Sequence, residues 1–340
     1  MKNKYIKALP CLALLIVFTM VGFHNVKSYY DEILNSTGLV YEDFEKELKQ
    51  ENERAIENEQ EYQKMIESLE EPEKEEVQKD EAQEKPSVLT ENLSLHALSA
   101  LLMDASNNRV LYEENGNNKM PMASTTKIMT CIVTLENADL QDIVTVSSYA
   151  SSMPDVQLNI KKGDQFYLND LLYSLMLESH NDVAVAIAEH VGGSVEGFAT
   201  MMNDKARELG CESTNFVTPN GLDAQGHYTT AKDLAIIASY AIKNDKFIGI
   251  TNSSTHSFQE IKKGRGYNVS NKNKFLYMME GAIGVKTGFT GGAGYCFVGA
   301  IKRTDKTLIS VVLGCGWPPN KSLKWSDTKE LMSYGVNNYE

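Results

Sequence analysis

The feature that most limits how this chain can fold is an abrupt change of composition at Leu93. Residues 42–87 consist largely of Glu, Lys and Gln with few apolar side chains, so they cannot bury enough surface to offset the entropy lost on ordering. From Leu93 onward, about 250 residues have the composition of a globular protein. We therefore predict one core-forming domain over residues 93–340, preceded by an acidic, largely disordered or helical spacer over residues 29–92.

The negative charge of the chain is concentrated in that spacer. Of 46 acidic and 33 basic residues, 18 acidic and 7 basic ones lie between Glu42 and Lys85, so this stretch carries −11 of the net charge of −13. The remainder is nearly neutral, at −2. Non-specific nucleic-acid binding needs a basic face that displaces counterions from phosphates. The charge pattern therefore argues against nucleic acid as a partner.

The cysteines indicate neither a disulfide framework nor a metal site. They are odd in number and widely spaced, with no Cys-x-x-Cys pair and no His-Glu-x-x-His sequence. Cys296 and Cys315 could face each other across a hairpin, but an isolated cysteine usually acts as a small buried hydrophobe. We interpret all five as structural and expect neither a metal nor a cofactor. The five are Cys11, Cys131, Cys211, Cys296 and Cys315.

The N-terminus has the pattern of an export signal. Lysines at positions 2, 4 and 7 precede an apolar run over residues 8–23. That run is shorter than the roughly 20 residues that span a bilayer comfortably, and residues 26–28 form a tolerable cleavage site. Residues 1–28 are therefore either a cleaved signal peptide or a retained membrane anchor. Both alternatives place the remainder of the chain outside the cytoplasm.

Periodicity and turn signals predict an α+β fold for the globular part. Strands are expected where β-forming residues alternate or run together between turn residues, and helices where an apolar period of 3.6 follows a capping residue. The order of elements suggests one antiparallel sheet with helices packed on it and a helical block inserted between its strands. The predicted strands are 99–104, 109–114, 295–301 and 308–313; the predicted helices are 124–135, 169–177, 182–193, 194–210, 231–242 and 326–334.

The commonest catalytic templates are absent from the sequence. It contains no Gly-x-Ser-x-Gly elbow, no glycine-rich phosphate loop and no dinucleotide-binding fingerprint. The histidines do not suggest a catalytic triad, and we interpret four of them as surface or satisfied core residues. These are His96, His190, His227 and His256.

A Ser-x-x-Lys sequence at the start of a predicted helix is the first candidate for chemistry. Residues three apart lie on one helical face, so the Lys127 amine can reach the Ser124 hydroxyl and take its proton. A lysine serves as a base only if burial or a neighbouring cation lowers its pKa. The motif arises by chance about once in a chain of this length, and Ser326 with Lys329 is such a decoy.

Two further short motifs follow in the chain. Ser179 and Asn181 flank a histidine in the break between two predicted helices, where a hydroxyl could relay a proton and an amide could hold a carbonyl. Lys286, Thr287 and Gly288 lie in a glycine-rich stretch, where the ammonium and hydroxyl would bind a carboxylate and the glycine would allow close backbone approach. Each motif alone is equally consistent with an ordinary turn.

The three motifs together resemble the serine acyltransferases that penicillin inactivates. Ser-x-Asn follows Ser-x-x-Lys after 55 residues and Lys-Thr-Gly follows after another 107, in the order typical of these enzymes. The resemblance is strongest to low-molecular-weight penicillin-binding proteins, the serine-type D-alanyl-D-alanine carboxypeptidases, and extends from about residue 95 to 334. It is also carried by residues 102–105, 122–127, 203–206, 218–222 and 230–234.

The resemblance implies a β-lactamase/transpeptidase-like fold, with the second motif in a helical subdomain, and an acyl-enzyme mechanism on peptidoglycan stem peptides ending in D-Ala-D-Ala. Ser124 would attack the penultimate carbonyl with Lys127 as base, and Ser179 would pass the proton to the departing D-Ala. The backbone N–H groups of Ser124 and Phe289 would form the oxyanion hole. Water would then release the shortened peptide.

The same resemblance implies how the substrate is held and where the protein works. Asn181 would hold the peptide, and Lys286, Thr287 and Gly288 would form the site for its terminal carboxylate. β-Lactams would be covalent inhibitors. The enzyme would act at the outer face of the cytoplasmic membrane or in the cell wall. Many relatives continue into a second β-rich domain with a membrane helix, whereas this chain ends about 50 residues after Lys286, so we expect any membrane attachment to come from residues 1–28.

Three alternatives remain open from the sequence. A D,D-endopeptidase acting on cross-links would use the same groups. A class A β-lactamase would need a Glu-x-x-Leu-Asn loop after the second motif, and the nearest match, residues 155–159, has the wrong acid and precedes that motif. A non-catalytic wall-binding protein would keep the cleft for recognition only. A basic residue that some relatives carry on the late hairpin has no clear match here, with Arg303 and Lys306 nearby.

Overall fold

A computed structural model of the protein describes residues 93–303 and 306–339. The predicted export segment and acidic spacer lie outside the described residues. Within the described part of the chain, no helix has the length and apolar character needed to cross a membrane.

A five-stranded antiparallel sheet forms the centre of the domain. Its spatial order is β2-β1-β9-β8-β7, so the first two strands of the chain join the last three into one sheet. A single antiparallel sheet was predicted, but its edge strand β7 was not among the predicted strands. The pairing of 99–104 with 308–313 connects the two groups, and 297–302 pairs with 307–312 within the second group. The strands are β1 (Ser99–Asp104), β2 (Arg109–Glu114), β7 (Ala282–Thr290), β8 (Gly294–Lys302) and β9 (Thr307–Leu313).

The central strands are buried on both faces, which explains why they are almost continuously apolar rather than alternating. In β1, Leu101 and Met103 pack into the larger core, and Ala100 and Leu102 pack into a second core on the opposite face. Helix α7 (Leu323–Tyr339) covers this second face through residues such as Leu331. Burial of both faces removes from water nearly all the apolar surface of the strands, which is the main stabilising contribution to the sheet.

The larger core lies between the sheet and a block of helices. These are α1 (Lys127–Asn137), α2 (Leu168–Leu177), α3 (Asn181–Gly192), α4 (Val195–Glu208), α5 (Ala231–Ala241) and α6 (Asp245–Asn252). Two of these helices begin at side-chain N-caps: the Ser194 hydroxyl accepts the Gly197 N–H, and the Thr230 hydroxyl accepts the Asp233 N–H, each at 3.0 Å. Such caps satisfy backbone donors that a helix start leaves unpaired.

Several elements differ from the sequence-based prediction. Helix α2 begins at Leu168 with no side-chain cap, and α7 extends beyond its predicted range at both ends. Helix α6 was not predicted, although the Asn244 side chain caps its first turn. The two small hairpins were also missed, because strands of three to five residues with exposed alternate positions carry little pattern. They comprise β3 (Ile143–Thr145) with β4 (Gln165–Tyr167), and β5 (Thr255–Gln259) with β6 (Gly266–Ser270).

Candidate active site

The Ser-x-x-Lys sequence occupies a tight turn that leads directly into α1. Residues Ala123–Thr126 form one turn of 3-10 helix, and Lys127 is the first residue of the α-helix. A 3-10 helix has three residues per turn, so side chains at positions i and i+3 are stacked above each other. The Lys127 Nζ consequently lies 2.9 Å from the Ser124 Oγ. The prediction that this spacing brings amine and hydroxyl together is therefore correct in detail.

The amine of Lys127 is completely buried and contacts three oxygen atoms. Besides Ser124, these are the Asn181 Oδ1 at 2.8 Å and the Asn220 carbonyl oxygen at 2.6 Å. Burial, followed by the nearby ammonium of Lys286, holds the pKa of Lys127 well below its usual value, against a smaller opposing effect of Asp182. A neutral amine has two N–H groups and one lone pair. Two carbonyl oxygens accept the N–H groups, which leaves the lone pair for the Ser124 hydroxyl.

The turn that presents Ser124 is braced by the loop around Gly221. Ala123 has φ of +46° and Gly221 has φ of +81°. A Cβ on Gly221 would lie 2.0 Å from the Ala123 carbonyl oxygen, so only glycine allows the two backbones to approach this closely. The loop therefore directly supports the turn Ala123–Thr126, here called the nucleophile turn. It also supplies the Asn220 carbonyl that contacts Lys127.

The buried residue His227 holds the same turn in place through hydrogen bonds. The Nδ1 of His227 accepts the Val217 N–H at 3.0 Å, so its Nε2 carries the proton and donates to the Thr126 hydroxyl at 2.8 Å. Thr126 in turn donates to the Ala123 carbonyl at 2.8 Å. Burial lowers the pKa of His227 to about 4, so the ring is neutral at neutral pH. His227 is a satisfied core residue, as predicted, but its position next to Ser124 was not expected.

The Ser-x-Asn motif lies at the start of α3. Ser179 has φ of +72°, and its Oγ is buried without a hydrogen bond to any residue between 93 and 303 or 306 and 339. Asn181 accepts from Lys127 through Oδ1 and donates through Nδ2 to the carbonyl groups of Pro154 and Asp155 at 3.2 and 3.0 Å. The Asn181 amide thus connects the Lys127 amine to the segment with Pro154 and Asp155, at the rim of the site.

His180, between those two residues, is directed away from the reacting groups. Its Nδ1 pairs with the Ser174 hydroxyl at 2.8 Å, and its Nε2 lies 3.3 Å from the Glu178 carboxylate. Both partners belong to the end of α2 and the residue after it. The His180 ring therefore contacts the end of α2 rather than Ser124 or Lys127.

The Lys-Thr-Gly motif lies on β7, which forms an edge of the sheet. The Lys286 side chain is buried, and this desolvation lowers its pKa to about 7. Its Nζ donates to the Thr287 carbonyl at 3.0 Å. A Cβ on Gly288 would lie 2.9 Å from the backbone nitrogen of Ser124, so the glycine allows β7 to pack directly against the nucleophile turn.

The backbone N–H of Phe289 points off the edge of the sheet. Across the ladder, Tyr295 donates its N–H to the Gly316 carbonyl and accepts the Cys315 N–H, at 2.9 and 2.8 Å. Both backbone groups of a strand residue point to the same side, so those of Tyr295 point away from β7. Phe289 and Tyr295 are therefore a non-hydrogen-bonded pair, and the Phe289 N–H is directed outward from β7.

The structure thus brings together all three motifs, which lie up to 162 residues apart in the chain. Sequence reasoning missed the contribution of Asn220, because a backbone carbonyl leaves no residue-type signal. The run of residues 218–222 had been noticed only as a point of resemblance. Arg303 and Lys306 lie at the opposite end of the β7–β8 hairpin from Phe289, since Ile301 pairs with Ala282 and Tyr295 with Phe289. Both residues therefore lie at the end of the hairpin that is away from Phe289.

The remaining candidates serve structural roles. Cys131, Cys211, Cys296 and Cys315 are buried free thiols, which confirms the prediction for these four; Cys11 lies outside the described residues. Among the described residues, no group of three His, Cys, Asp or Glu side chains is arranged to hold a metal ion. Three further histidines of the described residues, His96, His190 and His256, lie beside carboxylates, such as His256 beside Asp170 at 2.8 Å.

Comparison with known proteins identifies close relatives over the same region. The family model described as D-alanyl-D-alanine carboxypeptidase, peptidase family S11, matches residues 82–316. D-alanyl-D-alanine carboxypeptidase DacF of Bacillus subtilis is 33% identical over 256 residues, which are 74% of this chain and 65% of the relative. The chain therefore spans less than two thirds of the length of this relative, and the same is true of DacC of Escherichia coli, at 63%.

Solved structures match over their whole length. The DD-transpeptidase of Streptomyces K15 aligns with a TM-score of 0.68 at 31% identity, covering 73% of this chain and 100% of that chain. Penicillin-binding protein D2 of Listeria monocytogenes, in its ampicillin-bound form, aligns with a TM-score of 0.64 at 30% identity and the same coverage. The antiparallel sheet flanked by helices is thus the fold of these enzymes, and the chain belongs to the D-alanyl-D-alanine carboxypeptidase family.

Proposed function

We propose that the protein is a serine-type D,D-carboxypeptidase that removes the terminal D-Ala from peptidoglycan stem peptides and is inhibited by β-lactams. One observation carries the proposal: a fully buried lysine amine with a lowered pKa, its N–H groups engaged by two carbonyl oxygens, lies 2.9 Å from a serine hydroxyl. This is the arrangement of an activated nucleophile. The family membership and the ampicillin-bound relative support the substrate class.

Acylation follows from the positions of these groups. The Ser124 Oγ attacks the carbonyl carbon of the penultimate D-Ala while the Lys127 Nζ takes the hydroxyl proton. The Ser124 and Phe289 N–H groups stabilise the negative oxygen of the tetrahedral intermediate. As the C–N bond breaks, the departing amine receives a proton from the Ser179 hydroxyl, which is replenished from the Lys127 ammonium. Water then attacks the ester, and the same groups return Ser124 to its hydroxyl form.

The buried cation on β7 recognises the free end of the substrate. The Lys286 ammonium and the Thr287 hydroxyl bind the terminal carboxylate, which distinguishes a peptide end from an internal bond. Asn181 positions Lys127 through its Oδ1. Its Nδ2 holds the substrate backbone by exchanging one of its bonds to the rim carbonyls of Pro154 and Asp155. The site thus selects short, carboxylate-terminated substrates.

The same acyl-enzyme can serve a second reaction. The Streptomyces K15 relative, covered over its whole length, is named a DD-transpeptidase, and an amine in place of water would transfer the acyl group rather than hydrolyse it. Cleavage of cross-links by an endopeptidase would use the same serine and base. We place the enzyme outside the cytoplasm, with residues 1–28 as the export signal or membrane anchor and residues 29–92 as a spacer.

Mass spectrometry of the penicillin-treated protein tests the proposal. We expect a long-lived adduct of the penicillin on the peptide that contains Ser124, and no adduct in Ser124→Ala. The chain contains its own matched control, because Ser326 and Lys329 repeat the spacing on α7, so Ser326→Ala should label normally. Rapid loss of the adduct would identify a β-lactamase. A protein that forms no adduct would be a non-catalytic binder, contrary to the proposal.

The lowered pKa of Lys286 predicts a specific pH dependence of substrate preference. In the free enzyme this ammonium is lost as the pH rises through about 7, and only the protonated fraction binds a carboxylate. We expect the ratio of kcat/KM for a D-Ala-D-Ala peptide to that for its C-terminal amide to fall by about 100-fold between pH 6 and 9. Taking the ratio cancels the contribution of Lys127. A constant ratio would exclude Lys286 from carboxylate binding.

A further inference from the structure

The turn that follows Phe289 is held by a single carboxylate from another part of the chain. Asp223 accepts the Thr290 hydroxyl at 2.7 Å through Oδ1 and the Gly292 N–H at 3.2 Å through Oδ2. Thr290 also accepts the Ala293 N–H at 3.0 Å. The carboxylate thus engages the first residue and a central residue of the β7–β8 turn. Hydrogen bonds to an ionised acceptor are about twice as strong as neutral ones.

This turn has little rigidity of its own. Its central residues are Gly291 and Gly292, and glycine has more backbone freedom than any other residue. It connects an edge strand, β7, to the rest of the sheet, so one side of β7 has no neighbouring strand in the described sheet to fix it. Among the described residues, Trp317 also bonds to the turn by donating to the Gly291 carbonyl at 2.8 Å, and the Cys296 thiol donates to the Ala293 carbonyl at 3.6 Å.

Asp223 extends from the loop that also supports the nucleophile. Three residues earlier, the Asn220 carbonyl contacts Lys127, and Gly221 packs against the Ala123 carbonyl next to Ser124. One short segment, residues 220–223, therefore touches the base, the nucleophile turn and the turn after Phe289. It therefore links the turn that carries the Ser124 N–H to the turn that follows Phe289.

We propose that Asp223 is a positioning residue that fixes the Phe289 N–H relative to Ser124 for stabilisation of the tetrahedral intermediate. This inference rests on the proposed function. Stabilisation of an oxyanion requires donors about 2.7–3.1 Å from the position that the oxygen will occupy, and a displacement of about 1 Å can cost 100-fold in rate. Without the carboxylate, the glycine turn and the adjoining end of β7 shift, while Trp317 and the sheet keep the fold intact.

The test compares binding of a tetrahedral analogue with binding of a ligand that occupies the carboxylate site alone. A peptide boronic acid forms a tetrahedral adduct with Ser124 that places an oxygen in the oxyanion hole, whereas free D-Ala, the released product, needs only the site for the terminal carboxylate. In Asp223→Ala and Thr290→Val we expect penicillin acylation and boronate affinity to fall by about 10- to 100-fold. Affinity for free D-Ala should change less than twofold.

Two further variants separate positioning from general destabilisation. Thr290→Ser keeps the hydroxyl and should restore both quantities to within about threefold of the wild type. Asp139→Ala removes an exposed aspartate that holds a different turn, by accepting the Gln141 N–H at 2.9 Å, and should have no effect on either. The double variant Asp223→Ala/Thr290→Val should be no slower than the slower single variant, because both remove the same contact.

The outcomes are distinct. Selective loss of boronate affinity with rescue by Thr290→Ser supports the inference. Unchanged boronate affinity, or a parallel fall of boronate affinity, D-Ala affinity and melting temperature, would overturn it while the proposed function stands. A wild-type protein that penicillin does not acylate would overturn the proposed function, and the inference with it.

Discussion

Replacing Lys127 with alanine is expected to slow acylation by penicillin between about 100- and 10,000-fold, the range that a positioned general base contributes. The Ser124 hydroxyl keeps its place on the 3-10 turn in this variant, but the amine that lies 2.9 Å from it is gone. The hydroxyl must then lose its proton to solvent. Time-resolved labelling of the intact protein with a fluorescent penicillin measures the rate directly.

The variant should remain folded, which makes the kinetic effect interpretable. In the wild type the Asn181 Oδ1 and the Asn220 carbonyl each accept a hydrogen bond from the Lys127 amine, and the variant loses both bonds. Each unsatisfied buried acceptor lowers the free energy of unfolding by about 1–3 kcal/mol. Lys329→Ala is the matched control, since it removes the lysine of the decoy motif on α7. Wild-type acylation in Lys127→Ala would remove this lysine from the mechanism, and a slow Lys329→Ala would show that the labelling reports stability instead.

Gly221→Ala is expected to damage both the fold and the site. The added Cβ would lie 2.0 Å from the Ala123 carbonyl oxygen at a residue with φ of +81°. Left-handed strain and overlap with the backbone together predict a loss of about 3–5 kcal/mol in the free energy of unfolding. The same displacement moves the turn that carries Ser124, so acylation should slow even at temperatures where the variant is folded. Denaturant unfolding and penicillin labelling measure the two effects.

Gly226 provides the matched comparison within the same loop. Its φ is +82°, almost identical to that of Gly221, but the nearest atom to an added Cβ is the Asn215 Nδ2 at 3.7 Å. Gly226→Ala should therefore cost only the conformational penalty, about 1–2 kcal/mol, and leave acylation unchanged. Equal losses in the two variants would mean that backbone conformation, rather than the contact with Ala123, decides the effect.

Much of the architecture could be predicted because it depends on local signals. The strands over 99–104 and 109–114 were predicted with their observed bounds, since β-forming residues on both sides of a Ser-Asn-Asn turn are an unambiguous pattern. The caps at Ser194 and Thr230 are equally local. Predictions failed for short hairpins such as β5 with β6, where burial by neighbouring elements, rather than sequence pattern, stabilises the strands.

The spacing of Ser124 and Lys127 is likewise a local property. Any tight helical turn brings residues three apart together, so the sequence was sufficient to pair the hydroxyl with the amine. The lowered pKa that lets the amine act as a base does not come from the local sequence. The pKa of the amine is lowered by burial beneath distant segments and by Lys286, and these contacts exist only after the sheet and the helical block have packed together.

The amino-acid sequence by itself therefore determined the α+β class and the order and spacing of the three motifs to which we assign the chemistry, because periodicity and turn residues act over short distances. Only the tertiary structure decided that the Asn220 carbonyl, His227 and Asp223 surround the nucleophile turn and the edge of β7. A backbone carbonyl cannot be recognised from the residue type, and an aspartate or a histidine has the same signature in any surface loop. None of these three groups could therefore be assigned to the site from the sequence. Their roles arise from the path of a loop that begins 93 residues after Lys127, and packing alone determines where that path leads.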